Sequence, residues 1–519
     1  MNWNIGYITK KRALLSPDKL AVCFADSRDL TYKELNDEVN QVAHFFQDKG
    51  LKKGDRISVL LTNCPEFLVI YFAAAKLGLI LVPLNFRLVG PELEYQLNDC
   101  GCRLLIFHDS LVNSFEDVRD NIKVEEDKFI CLESGDLDTS ICPDWAYDYS
   151  EAMKNFPVTE PELEDPVGFD DPLAIIYTAG TTGNPKGAVV SHEQTYFKNF
   201  QIACYSNMRS DDVYLAHVPL FHSGGLFVVS TPALCAGATM ATRKRFDAEG
   251  FAEDIENYKA TIVIGLTTMW RFILETGRLD HIDSSSIRVV MGGGERTPMN
   301  MFDELGQRGL QLQSVYGQTE NSCMMMLPKE DVQRKQGSIG RPGFFTEIWI
   351  QNSDGKKLPP NEIGEIVASG PTVMSGYWNM PDKTDQTIIY GVLHTGDLGY
   401  TDDEGYFYIV DRERDMYRSG GENVYPAEVE KILDGHPKVL NVAIIGVPDE
   451  RWGETGMAFI VPTKKGKITK EEMSEFLKGK VARYKFPSQI KFLDELPLTG
   501  MGKVKKVELK KKYGARLDE

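Results

Sequence analysis

The 519-residue sequence predicts an α/β protein with a large first domain and a smaller second one. Segments typical of helices alternate with short apolar runs typical of buried strands, which indicates α/β layers around largely parallel sheets. The chain is too long for one hydrophobic core, so we expect at least two domains. The charged run DRERD at 411–415 is unlike a core segment. We therefore predict domains at 1–412 and 413–519.

The first elements follow from local signals. TYKE at 31–34 has the form of a capping box, in which Thr31 begins a helix and Glu34 supports it. Apolar residues follow at helical spacing, and Gly50 is a suitable end. RISVLL at 56–61 then predicts a buried strand.

The most apolar segment of the chain is FLVIYFAAAKLGLILVPL at 67–84. Lys76 and Gly78 interrupt it and Pro83 ends it, which leaves it short of the ~20 apolar residues that a membrane span requires. We expect a buried helix followed by a buried strand, and no transmembrane segment.

Later signals continue the same alternation. An acidic, proline-bearing stretch at 158–172 predicts an exposed connector, and SHEQ at 191–194 is a second capping box that should begin a helix. Beyond the charged run, we predict a helix at 426–433 with proline in its first turn, a strand at 439–447 and a capped amphipathic helix at 469–481.

Composition excludes some classes of protein. The formal net charge of −18 argues against a nucleic-acid binder, because phosphate backbones attract basic surfaces. The nine cysteines include no CxxC pair, which favours buried, reduced thiols over a zinc or redox site. The N-terminus lacks the apolar stretch of a signal peptide. We expect a cytoplasmic protein and leave peripheral attachment to a membrane open.

The most informative short segment is YTAGTTGNPKG at 177–187. Glycines let backbone N–H groups converge on an anion, and threonine hydroxyls and a lysine add donors. The spacing of Gly180, Gly183 and Lys186 does not match the G-x-x-x-x-G-K-[ST] pattern of a P-loop. From this segment alone, a phosphate-binding loop and a flexible surface hairpin both remain open.

The same segment resembles the signature of the adenylate-forming superfamily, which includes acyl-CoA synthetases, adenylation domains of peptide synthetases and firefly luciferase. Further family signatures follow in the family's order, so the resemblance covers essentially the whole chain. They are PLFHSGG (219–225), GGGERTP (292–298), YGQTE (316–320), LHTGDLG (393–399), DRERDMYRSGGENVYPAEVE (411–430) and LPLTGMGKVKK (496–506). The resemblance implies a β-barrel-like part within the large domain and a small, mobile α+β domain after it.

The resemblance also implies a reaction with two steps, and ATP, Mg²⁺ and CoA as the molecules it uses. A carboxylate attacks the α-phosphorus of ATP and gives an acyl-adenylate and pyrophosphate. A thiol then attacks the acyl carbonyl and expels AMP. The first step brings an anion to a polyanion, so cations and preorganised donors should dominate its catalysis.

Four residues match the family's catalytic positions. Lys503 matches the lysine that bridges the carboxylate and the α-phosphate, although a solvated lysine of a basic helix is the plain alternative. Glu320 matches the Mg²⁺-linked glutamate, and Thr319 should reach the α-phosphate. His222 matches a histidine near the carboxylate and thiol paths, where a substrate-lining role is also open.

The nucleotide and CoA positions follow from the same motifs. Tyr316 should stack on adenine, although a core aromatic is the alternative, while Asp397 and Arg412 should bind ribose. Family members rotate the small domain about a hinge, here Arg414, which exchanges Lys503 for a pantetheine channel at 419–423. The remaining predicted binding residues are Thr178, Gly180, Thr181, Thr182, Gly183, Lys186, Gly293, Gly294, Glu295, Arg296, Gly317, Gln318, Gly420, Gly421 and Glu422.

The sequence defines the carboxylic acid substrate less well than it defines the nucleotide and CoA positions. Gly224, Gly225 and Gly292 indicate room, and the methionines at 324–326 indicate either an adaptable apolar wall or ordinary core. An apolar acid fits best: a medium- or long-chain fatty acid, or a cyclic or aromatic one. An enzyme that loads a separate carrier protein is the main alternative. An oxygenase and a nucleotide-binding pseudoenzyme fit less well, and a homodimer is compatible with the resemblance.

Overall fold

The computed structural model describes most of the chain. The described residues are 4–137, 142–178, 184–294, 297, 299–412, 417–424, 426–433, 435–464, 466–497, 504 and 506–514.

The chain begins with helices and parallel strands in alternation. In chain order they are α1 (Tyr7–Leu15), β1 (Leu20–Phe24), β2 (Leu30–Thr31), α2 (Tyr32–Asp48), β3 (Arg56–Leu60), α3 (Pro65–Leu77), β4 (Ile80–Pro83), α4 (Gly90–Cys100), β5 (Cys102–His108), β6 (Phe129–Leu132), β7 (Tyr147–Asp148), α5 (Tyr149–Met153), β8 (Pro172–Thr178) and β9 (Lys186–Ser191).

The middle of the chain repeats this alternation. Its elements are α6 (His192–Ser206), β10 (Val213–Leu215), a π-helical segment at Gly224–Ser230, α7 (Thr231–Ala236), β11 (Thr239–Thr242), α8 (Ala248–Asn257), β12 (Ile262–Leu266), α9 (Thr267–Glu275), β13 (Val289–Gly293), α10 (Met299–Gln307), β14 (Leu312–Gln318), β15 (Ser322–Met326) and β16 (Arg341–Pro342).

Mostly antiparallel strands follow, with four helices among them. They are β17 (Glu347–Gln351), β18 (Gly364–Ser369), β19 (Gly376–Tyr377), α11 (Pro381–Thr387), β20 (Ile388–Ile389), β21 (Val392–Thr401), β22 (Phe407–Arg412), β23 (Tyr417–Ser419), β24 (Glu422–Val424), α12 (Pro426–Leu433), β25 (Val439–Asp449), β26 (Gly453–Pro462), α13 (Lys470–Leu477), β27 (Gln489–Phe492) and α14 (Lys506–Tyr513).

Two large sheets form the body of the molecule. One has the order β19-β9-β8-β4-β3-β5-β6-β7 and the other the order β16-β15-β14-β13-β12-β10-β11-β1-β2. Pairing is parallel from β8 to β7 and from β14 to β1, and antiparallel at the outer strands. The expectation of α/β layers around largely parallel sheets is confirmed.

One hydrophobic cluster joins the two sheets through α2 and α3, whose apolar side chains pack with strands of both. Nearly every residue of α3 is buried, as the apolar run at 67–84 predicts. The capping box that begins α2 is also confirmed, because Glu34 N–H donates to Thr31 Oγ1 and Glu34 accepts from Thr31 N–H. The second predicted capping box begins α6 with Ser191 and Gln194.

The third sheet is antiparallel and contains β17, β18, β21, β20 and β22. It stands where the resemblance implies a barrel-like part. Among the described residues its outer strands β17 and β22 do not pair with each other, so the sheet has the connectivity of an open one.

The strands up to Arg412 and those from Tyr417 onward belong to different sheets. β22 pairs with β21 of the third sheet, whereas β23 belongs to a fourth sheet with β24, β25, β26 and β27. The helix at Pro426–Leu433 is found as predicted. The predicted strand is longer than expected, at Val439–Asp449, and the predicted capped helix is shorter, at Lys470–Leu477, with a capping box of Thr469 and Glu472. We call residues 1–412 the N-terminal part and 413–519 the C-terminal part.

All nine cysteines are free, as expected, but not all are buried: Cys204 is exposed on α6. Among the described residues, no helix combines the length and the apolar character that crossing a membrane requires.

Candidate active site

The carboxyl ends of the parallel strands bring the predicted motifs together. β8 ends at Thr178, β13 ends at Gly293 and β14 ends at Gln318. Ligands of open α/β sheets bind beyond these ends, because the connecting loops meet there. All three residues line one cavity of about 620 Å³.

Most of the predicted site residues that the structure describes line this cavity. They come from both large sheets, from the third sheet and from the C-terminal part. They are Thr178, His222, Gly293, Gly294, Gly317, Gln318, Thr319, Glu320, Asp397, Gly420, Gly421 and Glu422.

Asp397 is the most constrained carboxylate of the site. It is 1% exposed, and its Oδ2 accepts hydrogen bonds from Tyr316 Oη at 2.6 Å and from Gln318 Nε2 at 2.8 Å. Gln318 Nε2 also donates to the carbonyl of Thr395 at 2.9 Å. These bonds hold the carboxylate at the cavity wall, where paired hydroxyl donors of a ligand could reach it.

Tyr316 differs from its predicted position. It is 7% exposed and packs with Met324, Met325 and Ile348 rather than lining the cavity. Its ring is therefore a core aromatic in this arrangement, because β14 turns alternate side chains to opposite faces of the sheet. The hydroxyl still serves the site through Asp397.

Glu320 receives a hydrogen bond from Tyr377 Oη at 2.7 Å. The ammonium of Lys186 lies 3.9 Å from the centroid of the same tyrosine ring. No group of three or more metal-ligating side chains occurs among the described residues. A single carboxylate suits Mg²⁺, which retains waters and takes further oxygen ligands from phosphates.

His222 lies among charges from both parts of the chain. Burial lowers the pKa of His222, the carboxylate of Glu422 opposes this, and the cations of Arg418 and Arg87 add to the lowering. Arg87 forms an ion pair with Glu422, which joins the N-terminal part to the C-terminal turn at the cavity. Neutral His222 is therefore the favoured form near pH 7.

The C-terminal part enters the cavity through the turn between β23 and β24. Gly420 and Gly421 have φ angles of +59° and +82°, which favour glycine. A Cβ at Gly421 would lie 2.8 Å from Leu266 Cδ1 of the N-terminal part, and one at Gly420 would lie 3.0 Å from Trp452. Glycine at 421 thus permits close approach of the two parts, and glycine at 420 permits packing against Trp452 within the C-terminal part.

The remaining cavity wall is largely apolar. Its side chains include Val228, Val229, Ile264, Leu266 and Val315.

Of the three glycines predicted to leave room for the acid, only Gly224 does so. A Cβ at Gly224 would meet no atom within 4 Å, so this glycine leaves open space as expected. A Cβ at Gly225 would lie 2.2 Å from the carbonyl oxygen of Pro219, and one at Gly292 would lie 2.8 Å from Leu312. These two glycines serve packing of the protein and not room for the acid.

The three methionines are core residues. Met324 and Met325 pack into the third sheet's cluster, and Met326 packs into the cluster between the two large sheets. None of them lines the cavity, so the adaptable-wall interpretation is wrong. All five residues of their strand β15, which lies between β14 and β16, are buried.

Comparison with known proteins decides the family. A model described as "AMP-binding enzyme" matches residues 9–378, and one described as "AMP-binding enzyme C-terminal domain" matches residues 428–503. The chain belongs to the AMP-binding enzyme family. The resemblance to adenylate-forming enzymes is confirmed.

Relatives within this family match over almost their full length. A feruloyl-CoA synthase of Amycolatopsis sp. is 37% identical, covering 99% of this chain and 100% of the relative. A long-chain-fatty-acid–CoA ligase of Mycobacterium tuberculosis is 34% identical, covering 99% of each. The solved o-succinylbenzoate-CoA synthetase of Bacillus subtilis superposes with a TM-score of 0.86 at 31% identity, covering 98% of each chain.

The side chains of several predicted residues of this family member are not described. Arg412 is in β22, where its backbone pairs with Asp397, but its side chain is not described. The others, which lie outside the described residues altogether, are Lys503, Gly180, Thr181, Thr182, Gly183, Glu295, Arg296 and the hinge residue Arg414.

Other cavity residues were not predicted from sequence. Tyr377 lies on a two-residue strand beside β9, and Arg87 and Trp452 lie in loops. Arg418 lies on β23 and also lines the cavity. Tyr377, Arg87 and Trp452 lie outside the short motifs, whereas Arg418 lies within the motif at 411–430 but was assigned no role.

Proposed function

We propose that this chain is an AMP-forming acyl-CoA ligase. In the first step a carboxylate oxygen bonds to the α-phosphorus of ATP, the bond from that phosphorus to the bridging oxygen breaks, and pyrophosphate leaves. In the second step the sulfur of CoA, after loss of its proton, bonds to the acyl carbon. The bond between that carbon and the AMP oxygen breaks, giving the thioester and AMP.

One observation carries the proposal. Thr319, Glu320 and Asp397 of the N-terminal part line the same cavity as Gly420 and Gly421 of the C-terminal part. The first group carries the family positions for phosphate, metal and ribose. The second group carries the family positions for the CoA channel. In this proposal ATP and CoA both reach the acyl group within one cavity.

The residues take the following roles in this proposal. Asp397 binds the ribose hydroxyls of ATP, and Arg412 supports it from the paired strand. Glu320 would hold Mg²⁺ together with the phosphates, and Thr319 would donate to the α-phosphate. Lys503 is assigned to the adenylation step from its motif alone, as are the residues of the loop at 179–183.

The arrangement supports the thioester-forming state of a mobile C-terminal part. Gly420, Gly421 and Glu422 lie at the cavity, where the CoA channel is expected. We propose that rotation about the segment containing Arg414 withdraws this turn and admits Lys503 for adenylation. The division at 412–413 is part of this proposal.

The acid is proposed to be largely apolar. Val228, Ile264 and Val315 form an apolar wall beyond the glycine at 224, which leaves open space. Two of the three relatives described above carry names that specify ferulate and a long-chain fatty acid, and the third carries a name that specifies o-succinylbenzoate. An aromatic or cyclic acid and a medium- or long-chain fatty acid are therefore the classes to test first.

A pyrophosphate-release screen tests the function and the substrate class together. Purified protein is given ATP, Mg²⁺ and acids of aliphatic, cyclic or aromatic type, with and without CoA. We expect pyrophosphate with a subset of acids, and an acyl-CoA product only when CoA is present. Absence of acid-dependent pyrophosphate release from every acid would contradict the proposal. Adenylate formation without transfer to CoA would support loading of a carrier protein instead.

The assignment of Lys503 has its own test. Lys503→Ala should abolish acyl-adenylate formation and leave thioester formation from supplied acyl-adenylate largely intact, and Lys510→Ala serves as the matched control. Equal loss of both steps in Lys503→Ala would contradict its role. A cytoplasmic location and a homodimer remain predictions.

A further inference from the structure

Ser322 has an unfavourable backbone conformation at the cavity. Its φ angle is +61°, in the left-handed region that is unfavourable for a non-glycine residue. Among the described residues, Asn207, Lys259, Asn361 and Asn379 share such an angle, as does Tyr390, but of these six only Ser322 lines the cavity. A strained residue at a ligand cavity indicates that its side chain has a use there.

The hydroxyl of Ser322 is also unsatisfied. Its Oγ is buried and has no hydrogen-bond partner within the described part of the chain. A buried hydroxyl without a partner is costly, and Ser322 lines the cavity, so a ligand in the cavity could supply the partner.

Lys198 places a positive charge in the same region. It lies on α6, is 2% exposed, and its Nζ has no hydrogen-bond partner among the residues described. Gln201, one turn further along α6, donates from Nε2 to the carbonyl of Cys323, the residue after Ser322. Lys198 therefore lies on the part of α6 that packs toward β15.

The surroundings of Lys198 disfavour its charged form. Its Nζ is 5.2 Å from the ring centroid of Phe227, in the π-helical segment that forms part of the cavity wall. Burial lowers the pKa of Lys198 to about 7, and among the described residues Glu320 provides the opposing charge. A negative group in the cavity near Ser322 would stabilise the ammonium.

A third donor lies next to Ser322 in sequence. Asn321 is fully buried, and its Oδ1 accepts a hydrogen bond from Thr372 Oγ1 at 2.7 Å. Its Nδ2 has no partner in the described residues. Three donors of one small region thus lack acceptors, whereas most buried polar groups in proteins are satisfied.

The geometry points to a polar recognition point within the otherwise apolar acyl cavity. The acid carries a second oxygen acceptor besides the reacting carboxylate, and Ser322 Oγ–H donates to it. Lys198 does not line the cavity and acts through its charge, which favours an acceptor that is itself anionic, such as a second carboxylate or a phenolate. This inference rests on the proposed ligase function and narrows its substrate class.

Matched acids test the hydroxyl. Each pair consists of an aryl or alkyl acid and its analogue with an added carbonyl, hydroxyl or carboxylate, and kcat/KM is measured by CoA-dependent pyrophosphate release. We expect the wild type to prefer one oxygenated member by tenfold or more. Ser322→Gly should lose that preference without loss of thermal stability, because glycine relieves the strain at this φ angle. Ser322→Ala should lose the same preference and be less stable than Ser322→Gly.

The variant Lys198→Met tests whether the second acceptor of the acid is anionic or neutral. We expect it to reduce kcat/KM at least tenfold for the preferred acid if the second group is ionised, while the unsubstituted partner acid is unaffected. Lys154→Met, on the exposed end of a short helix, is the matched control. Ser322→Gly could abolish the preference while Lys198→Met leaves it unchanged. That result would support a second oxygen acceptor on the acid and contradict a role for the charge of Lys198.

Two outcomes would overturn the inference as a whole. One is a wild type that shows no preference within any pair. The other is a Ser322→Gly enzyme that loses activity equally on both members of every pair, since the hydroxyl would then act on the reacting carboxylate. Both differ from failure of the proposed function, in which no acid gives CoA-dependent pyrophosphate release.

Discussion

Lys485 of the C-terminal part donates from Nζ to Glu92 Oε1 of the N-terminal part at 2.6 Å. The same ammonium bonds to Glu428 Oε2 at 2.8 Å. The three side chains are between 5% and 12% exposed, so two carboxylates share one cation at a buried contact between the parts. Burial raises the pKa of Glu92, although the ammonium of Lys485 opposes the rise.

Removal of Lys485 should weaken the docked arrangement of the two parts. Lys485→Met leaves Glu92 and Glu428 buried without their cation, a loss of about 3–5 kcal/mol for such pairs. Because the C-terminal part can undock instead of unfolding, we expect thioester formation from supplied acyl-adenylate to slow more than tenfold. Single-turnover rates of the two half-reactions measure this, with exposed Lys478→Met as the control. Equal slowing of both half-reactions would show that the contact does not select a state.

Asp397 should dominate nucleotide affinity, and its neighbour Tyr316 should matter less. Asp397→Asn removes the charged acceptor, which is worth about 1.5–3 kcal/mol, so the Kd for ATP should rise roughly 10- to 100-fold. Tyr316→Phe removes one neutral donor to that carboxylate and should raise the Kd less than tenfold. Calorimetric titration with ATP compares both with Asp403→Asn on the exposed turn before β22. A larger effect of Tyr316→Phe would favour direct contact of its ring or hydroxyl with the nucleotide.

Tyr377 should orient the predicted metal-binding carboxylate. Tyr377→Phe keeps the ring beside Lys186 but removes the hydroxyl that donates to Glu320. Loss of one such hydrogen bond is worth about 1 kcal/mol, so half-maximal activity should require roughly fivefold more Mg²⁺. Titration of pyrophosphate release with Mg²⁺ measures the change, and Tyr147→Phe is the control. Unchanged Mg²⁺ dependence would separate Tyr377 from the metal site.

His192 should make the fold sensitive to acid. It is fully buried, its Nδ1 accepts from Ile5 N–H at 3.0 Å, and burial lowers its pKa to about 3. The unfolded chain takes up this proton near pH 6.5, so the contribution to stability is complete above that pH and is lost as the pH falls toward 3. Between pH 7.5 and 5 the loss is about 2 kcal/mol.

His192→Asn removes the titrating ring and keeps an oxygen that can accept from Ile5. The difference in unfolding free energy between wild type and this variant should therefore shrink by about 2 kcal/mol from pH 7.5 to pH 5. Denaturant unfolding at both pH values measures it, and exposed His281→Asn is the control. A constant difference would mean that His192 becomes protonated without cost in the folded protein.

Short-range signals in the sequence were sufficient to predict much of the fold. The capping boxes at Thr31, Ser191 and Thr469 each depend on residues three apart, so neighbouring letters contain the whole interaction. The same holds for the turn of Gly420 and Gly421, whose positive φ angles only glycine adopts readily. The family, too, was predictable, because its motifs are contiguous.

The chain by itself therefore determined the α/β layers and the family, and most of the described site residues predicted from it line the cavity. Tertiary structure decided that Tyr316 faces the core and that Met324 does so as well. It also decided that Lys485 meets Glu92 across 393 positions of sequence. Such contacts depend on strand order and on how the sheets and the two parts pack. That information is distributed over the whole chain, and no local pattern of residues contains it.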